Sequence, residues 1–151
     1  MLTGTYPYQV DKKGRVIIPP RFHHQLGQAF VLTRAPGRCL LALPRPRWER
    51  FVRSYGRNRT FRTFFLAAAT HVPIGPGNRI MVPVALRDWA GLSPHSEVVV
   101  AGIGQAVIIS SRARWEARLL QIEQDLLTAL ECPELRLCSA CQEPEPAKAD
   151  S

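Results

Sequence analysis

The sequence has no long apolar run, since no stretch approaches the roughly 18 consecutive apolar residues of a membrane span. We also expect no secretory signal, because residues 1–6 lead directly into a segment with the pattern of folded protein. Its four cysteines, three of them within residues 131–151, do not form the dense framework of a secreted mini-protein. These absences predict a cytoplasmic protein.

A catalytic constellation is also missing. Ser110 and Ser111 stand at a strand end without a His and an acid to activate them, and no Gly-rich phosphate loop precedes a helix. We therefore expect no enzymatic activity and no cofactor.

The cysteines near the C-terminus do not complete a zinc site. Cys138 and Cys141 form a CxxC pair with Cys132 six residues earlier, but three thiols without a nearby His fall short of a tetrahedral set. The sequence therefore predicts no metal site, and the interpretation that subunits bring these thiols together stays open as a minor alternative.

Acidic residues are scarce in the first part of the chain. Residues 1–66 contain 13 Lys and Arg against two acidic residues, a net charge of +11. Residues 67–130 contain five of each sign, and residues 131–151 contain two against five, a net charge of −3. A basic surface attracts polyanions, so nucleic acid is the favoured partner, although a solvated face kept basic for solubility explains the charge equally well.

An internal repeat is the main positive feature of the sequence. Residues 14–19 match residues 78–83 at an offset of 64, and a three-residue insertion changes the offset to 67 for the later matches. In both copies an Arg opens an apolar segment that ends in Pro: Gly14-Arg15-Val16-Ile17-Ile18-Pro19 and Asn78-Arg79-Ile80-Met81-Val82-Pro83.

The residue pattern of each copy predicts a strand, a polar turn, a second strand that ends at Pro, a helix of about two turns and a hairpin. The helices are predicted over 20–27 and 84–91, and the hairpin strands over 30–33, 39–43, 97–101 and 106–109. Further helices are expected from Arg47, over 59–70, and over 112–130 with Ser111 as N-cap. Trp48 and Trp115, equivalent by the repeat, are expected in the core.

The segment Tyr8-Gln9-Val10-Asp11-Lys12-Lys13-Gly14-Arg15-Val16-Ile17-Ile18-Pro19 resembles the swapped-hairpin DNA-binding modules of the SpoVT-AbrB type. Two such copies joined by a helical linker resemble the MraZ family over about residues 1–130. The resemblance implies an α+β, mainly β fold in which two tandem modules form a small barrel. The expected parts are a first SpoVT-AbrB-like module at 5–47, a helical linker at 48–68, a second module at 69–112, a C-terminal helix at 113–130 and a flexible tail at 131–151.

The same resemblance implies a function. Members of this family are transcriptional regulators that bind short direct repeats in double-stranded promoter DNA, including that of their own division and cell-wall gene cluster, usually as repressors. It further implies a closed ring of identical subunits at the nucleoid, with no membrane and no small-molecule substrate as partner. Related swapped-hairpin folds also serve as antitoxins, so a protein-binding module is the alternative.

The predicted DNA-contacting residues and the residues that shape their turns are Arg15, Lys13, Lys12 and Arg79, together with Asp11, Gly14 and Asn78. Asp11 stands four residues before Arg15, so that a charge-assisted pair can hold the guanidinium across one tight turn. Arg can read a guanine edge or grip a phosphate, whereas Lys suits phosphate alone. The alternative is that Asp11 and Arg15 merely close a hairpin.

The second copy departs from the motif at two positions. Gly75 stands in the place of Asp11, and Asn78 stands in the place of Gly14. Asn tolerates a positive φ, so the turn can persist. Because Gly75 cannot accept a hydrogen bond from Arg79, we expect the Arg79 side chain to be less firmly oriented and its copy to contribute less to DNA binding.

Overall fold

The elements follow one order twice, as the repeat predicts. The computed structural model describes residues 1–129. In chain order the elements are β1 (Leu2–Gln9), β2 (Arg15–Ile17), α1 (Pro20–Leu26), β3 (Ala29–Ala35), β4 (Cys39–Leu43), α2 (Arg45–Tyr55), α3 (Arg59–Phe64), β5 (Thr70–Pro73), β6 (Arg79–Met81), α4 (Val84–Ala90), β7 (Glu97–Gly104), β8 (Val107–Ser111) and α5 (Arg112–Ala129). The first five elements repeat as β5, β6, α4, β7 and β8.

Strands of the two copies are interleaved. Six strands form one antiparallel sheet in the order β1-β7-β8-β4-β3-β5, so the first strand of each copy pairs with a hairpin strand of the other. The hairpins themselves meet where β4 pairs with β8. The predicted α+β class is confirmed, while closure of the strands into a barrel and the module boundaries stay predictions.

The remaining strands, β2 and β6, form an antiparallel two-stranded ribbon. Arg15 pairs with Met81, Val16 with Ile80, and Ile17 with Arg79. Because side chains alternate along a strand, Val16 and Ile80 share the inner face, and both are fully buried.

One hydrophobic core serves both copies. It contains Val16, Ile18 and Phe22 from the first copy and Ile80, Val82 and Leu86 from the second, among others. Burying each such side chain contributes about 1.5–3 kcal/mol relative to leaving it in water. The two Arg-bearing strands, β2 and β6, and the two short helices therefore pack on the same hydrophobic core.

The short helices begin after the motif prolines and end at glycine, as predicted. Pro19 and Pro83 precede α1 and α4, and Gly27 and Gly91 follow them with φ values of 85° and 65°. A residue at positive φ stops a helix, and glycine adopts that conformation without a steric cost.

Two predicted helices have different limits in the structure. The helix expected from Arg47 begins at Arg45, directly after Pro44. The helix expected over 59–70 ends at Phe64, a 3₁₀ turn covers Leu66–Ala68, and Thr70 already belongs to β5, so that prediction was wrong beyond Phe64. The physical reason is a tertiary contact. Side chains on β3 donate hydrogen bonds to the carbonyl oxygens that would accept the next backbone hydrogen bonds of the helix.

Arg34 and Thr33 are those β3 residues. The Arg34 guanidinium donates to the carbonyl oxygens of Phe64 (2.8 Å) and Thr63 (2.9 Å), and the Thr33 hydroxyl donates to that of Phe65 (2.9 Å). The linker therefore turns back to β5 instead of extending.

Both predicted core tryptophans lie in hydrophobic clusters. Trp48 is buried with Val31 and Leu43, and Trp115 packs partly buried against Ala35 and Ile108.

The last helix starts where the sequence predicts. The amide of Arg114 donates to the Ser111 hydroxyl over 3.4 Å, which is the expected N-cap contact. Met1–Trp115 form one compact unit, and α5 continues into a second. Within residues 1–129, no helix is long and apolar enough to cross a membrane. Cys132, Cys138, Cys141 and the expected tail lie outside the described residues.

Candidate nucleic-acid interface

The turn before β2 is organised around the Asp11 side chain. Asp11 Oδ1 accepts hydrogen bonds from the amides of Lys13 (2.9 Å) and Arg15 (2.8 Å), and Oδ2 accepts one from Nε of Arg15 (2.7 Å). The Gly14 amide donates to the Asp11 carbonyl, and the Asp11 amide donates to the Arg15 carbonyl, each over 3.0 Å. One carboxylate thus fixes both the backbone of the turn and the direction of the guanidinium.

These contacts stabilise the charged form of Asp11. Partial burial raises the pKa of the carboxyl, but the hydrogen bonds from Arg15 and Lys13 and the charge of Arg15 outweigh burial and hold the pKa below its ordinary value of 3.8. Asp11 is therefore an anion at neutral pH, paired with Arg15.

The second turn keeps the backbone geometry without the carboxylate. The Gly75 amide donates to the Arg79 carbonyl (2.8 Å), and the Asn78 amide donates to the Gly75 carbonyl (3.1 Å), as in the first turn. Asn78 has φ 62° where Gly14 has φ 82°. The expected tolerance of Asn for this conformation is confirmed.

The second copy has no acidic residue at the position of Asp11, but Asp11 of the first copy lies near Arg79. Asp11 Oδ2 lies 3.9 Å from Nε of Arg79, within ion-pair distance, while it also binds Arg15. The acid near Arg79 therefore belongs to the first copy. Sequence comparison within one repeat could not reveal this contact, since the partner stands 68 positions away in the other copy.

Antiparallel pairing of β2 and β6 causes this convergence. Beyond the ribbon itself, the Ile18 amide donates to the Asn78 carbonyl (2.8 Å) and the Val82 amide to the Gly14 carbonyl (3.4 Å), which are equivalent bonds at the offset of 64. The ribbon therefore relates the two motifs by an approximate twofold axis.

The outer face of the ribbon exposes the two arginines to solvent. The side chains of Arg15 and Arg79 retain 38% and 41% exposure, so both remain open to a ligand, Arg15 hydrogen-bonded to Asp11 and Arg79 within ion-pair distance of it. Lys12 and Lys13 are exposed in the first turn. The structure thus brings Arg15, Arg79 and Asp11 together, with the two lysines beside them and Gly14 and Asn78 shaping the turns.

Arg87 is a residue of this region that the sequence analysis did not identify. A Cβ added to Gly14 would meet the Arg87 guanidinium at 2.5 Å, and Nε of Arg87 donates to the Val82 carbonyl over 2.9 Å. Arg87 of the second copy therefore packs against the turn of the first. The only signal in the sequence was another Arg in the short helix after the motif.

Two further features bear on what the site can bind. Arg21, which follows the first motif, donates from Nη1 to the Tyr6 hydroxyl over 2.7 Å, and its side chain is exposed. Among residues 1–129, no group of three or more His, Cys, Asp or Glu is placed to hold a metal ion. The exposed Lys and Arg side chains of the ribbon and its first turn are therefore suited to bind an anionic ligand.

Comparison with known proteins places the chain in a family. The family model described as "MraZ protein, putative antitoxin-like" matches residues 1–62. Proteins named Transcriptional regulator MraZ are similar over most of their length: that of Moorella thermoacetica is 40% identical over 123 residues, covering 77% of this chain and 85% of the relative. The protein of Deinococcus radiodurans is 33% identical over 129 residues, covering 81% of this chain and 89% of the relative. That of Acetivibrio thermocellus is 36% identical over 124 residues, covering 78% and 85%. Since the Moorella protein is 40% identical and the match covers 77% of this chain, the chain belongs to the MraZ family of transcriptional regulators.

Proposed function

We propose that this protein binds double-stranded promoter DNA sequence-specifically through the outer face of the β2–β6 ribbon. The observation that carries the proposal is the Asp11 carboxylate, which binds Arg15 and lies within ion-pair distance of Arg79 on one solvent-accessible face. A two-stranded ribbon fits the major groove of B-DNA, where the guanine edge presents two acceptors to an arginine. Arginines held in place before binding lose less side-chain entropy when they do so.

The surrounding charge supports the same ligand. Lys12 and Lys13 stand exposed in the first turn, where they can contact phosphates on either side of the groove. The net charge of +11 in residues 1–66 would attract the DNA backbone over a wider surface. Arg15 leads recognition in this proposal, since it is closer to Asp11 and has both lysines beside it.

At the biological level, the proposed target is the promoter of the protein's own division and cell-wall gene cluster. Binding to short direct repeats there would repress transcription in the cytoplasm, at the nucleoid. Identical subunits assembled into a ring would present several ribbons to successive repeats, which raises the effective affinity without any new contact.

Gel-shift titrations with the DNA upstream of the protein's own gene test the proposal. We expect the wild-type protein to prefer this DNA over a random fragment at physiological salt, and Arg15→Ala to lose that preference with an unchanged oligomeric mass. Arg45→Ala is the matched control, because it removes one charge from a side chain that is 70% exposed on α2. An absence of preference in the wild-type protein would overturn the proposal.

A second candidate is a protein-binding module of the antitoxin type, which the words "antitoxin-like" in the description of the matching family model favour. That function needs no discrimination between DNA sequences. The same titrations therefore separate the two candidates, since only the first requires a preference that Arg15→Ala removes.

A further inference from the structure

The outer face of the ribbon contains two apolar side chains as well as two arginines. Arg15 pairs directly with Met81, and Arg79 pairs directly with Ile17. Ile17 and Met81 are equivalent at the repeat offset of 64. The face therefore presents one arginine and one apolar residue at each end, in opposite order on the two strands.

Met81 is an apolar residue that is exposed to solvent. Half of its surface (50%) is accessible, while its neighbours along the chain, Ile80 and Val82, are fully buried. With Arg15 and Arg79, Met81 lines a shallow cavity of about 280 Å³ that Pro83 and the exposed His71 also border. Because Met81 stands directly across the ribbon from Arg15, a ligand bound by Arg15 would also lie next to the Met81 side chain.

Resting on the DNA binding proposed above, we propose that Met81 contacts the C5-methyl group of a thymine next to the base that Arg15 reads. The thymine methyl is the apolar group that base edges offer in the major groove. Methionine is unbranched and flexible, so it can follow that methyl while Arg15, directly across the ribbon, binds an adjacent edge. Met81 is thus a specificity-determining residue that selects thymine by its methyl group.

The test replaces every thymine of the upstream fragment with deoxyuridine, which lacks the methyl group and pairs in the same way. We expect the Kd of the wild-type protein to rise about three- to fourfold for each ribbon that engages a repeat, the effect of one buried methyl group. The measured quantity is the Kd for the uracil DNA divided by the Kd for the thymine DNA. In Met81→Ala this ratio should be smaller than in the wild-type protein by about that factor. Ile103→Ala is the control, since Ile103 is an equally exposed apolar residue (54%) on β7, outside the ribbon, and should retain the wild-type ratio.

The outcomes separate this inference from the proposed function. If the wild-type protein prefers the upstream DNA but binds its thymine and uracil forms equally, the DNA-binding function stands and the methyl contact is overturned. Equal sensitivity in the wild-type protein and Met81→Ala also overturns it, because altered DNA shape or another residue would then explain the effect. Loss of all sequence preference in the wild-type protein would overturn both. Thermal unfolding of Met81→Ala should match that of the wild-type protein.

Discussion

The Asp11 carboxylate contacts two arginines that stand 64 positions apart in the sequence. It lies 2.7 Å from Nε of Arg15 and 3.9 Å from Nε of Arg79. At the scale of single residues, one carboxylate therefore lies within ion-pair distance of both guanidinium groups, and Asp11→Asn removes its charge while nearly keeping its shape.

Asp11→Asn should lower DNA specificity. Loss of the ion pairs leaves both arginines less ordered, which should weaken specific binding about tenfold, the effect of one charged hydrogen bond. Removal of a negative charge near the phosphates should slightly strengthen nonspecific binding. The ratio of Kd values for random and upstream DNA measures both effects, and an unchanged ratio would show that Asp11 does not orient the arginines.

The same variant should change the pH dependence of stability. The pKa of Asp11 is lowered in the folded protein, so its stabilisation is fully present above the ordinary value of 3.8 and is lost as the pH falls through the folded-state value. We expect Asp11→Asn to have a lower Tm than the wild-type protein at neutral pH, and the two Tm values to converge below pH 3.8. A difference that stays constant in acid would contradict this assignment.

Gly14→Ala tests the first turn. Gly14 has φ 82°, and its Cα faces the Arg87 guanidinium, so an added methyl group is strained and must displace that side chain. We expect a loss of about 1–3 kcal/mol in the free energy of unfolding, measured with urea. Asn78→Gly is the matched control, because the equivalent residue of the second turn already adopts φ 62° and glycine accepts it. Similar losses in both variants would exclude the proposed strain.

At the scale of elements, the end of α3 depends on Arg34. Its guanidinium binds two carbonyl oxygens there and also lies over the rings of Phe64 (5.1 Å) and Trp89 (5.6 Å). This single side chain joins β3, the linker and α4.

Arg34→Ala should therefore destabilise the protein by about 2–3 kcal/mol, since the carbonyls lose charged donors and the rings lose a cation. Urea unfolding measures the effect, with Arg45→Ala as a control that loses only an exposed pair of 3.7 Å with Glu49. Equal stability of the two variants would mean that the linker is held by its aromatic packing alone.

At the scale of the whole molecule, among the strands of residues 1–129 only the hairpin strands pair within their own half, β3 with β4 and β7 with β8. β1 depends on β7, β5 depends on β3, and β2 depends on β6. Most of the core is likewise shared between the copies.

Separate fragments 1–57 and 58–151 should therefore lack a folded monomeric state. We expect neither to show a thermal transition independent of concentration, whereas an equimolar mixture should recover cooperative unfolding and a 1:1 complex. Circular dichroism and sedimentation measure these outcomes. A stable monomer of either fragment would show that its strands can pair without the other copy.

The sequence by itself determined the elements of each copy, because periodicity, prolines and positive-φ residues act locally. The strand signals around Arg15 and Arg79, the short helices after Pro19 and Pro83, and the turn at Asn78 were all predicted from neighbouring residues. Family resemblance then predicted the α+β class.

The tertiary structure alone decided how the copies meet. The Asp11–Arg79 pair, the packing of Arg87 against Gly14, and the end of α3 under Arg34 each join residues that are far apart in the chain. No local pattern predicts such contacts, since they depend on which strands pair and in which register. Both arginines and the Asp11–Arg15 pair were therefore visible in the sequence, whereas the acid near Arg79 was set by the pairing of β2 with β6.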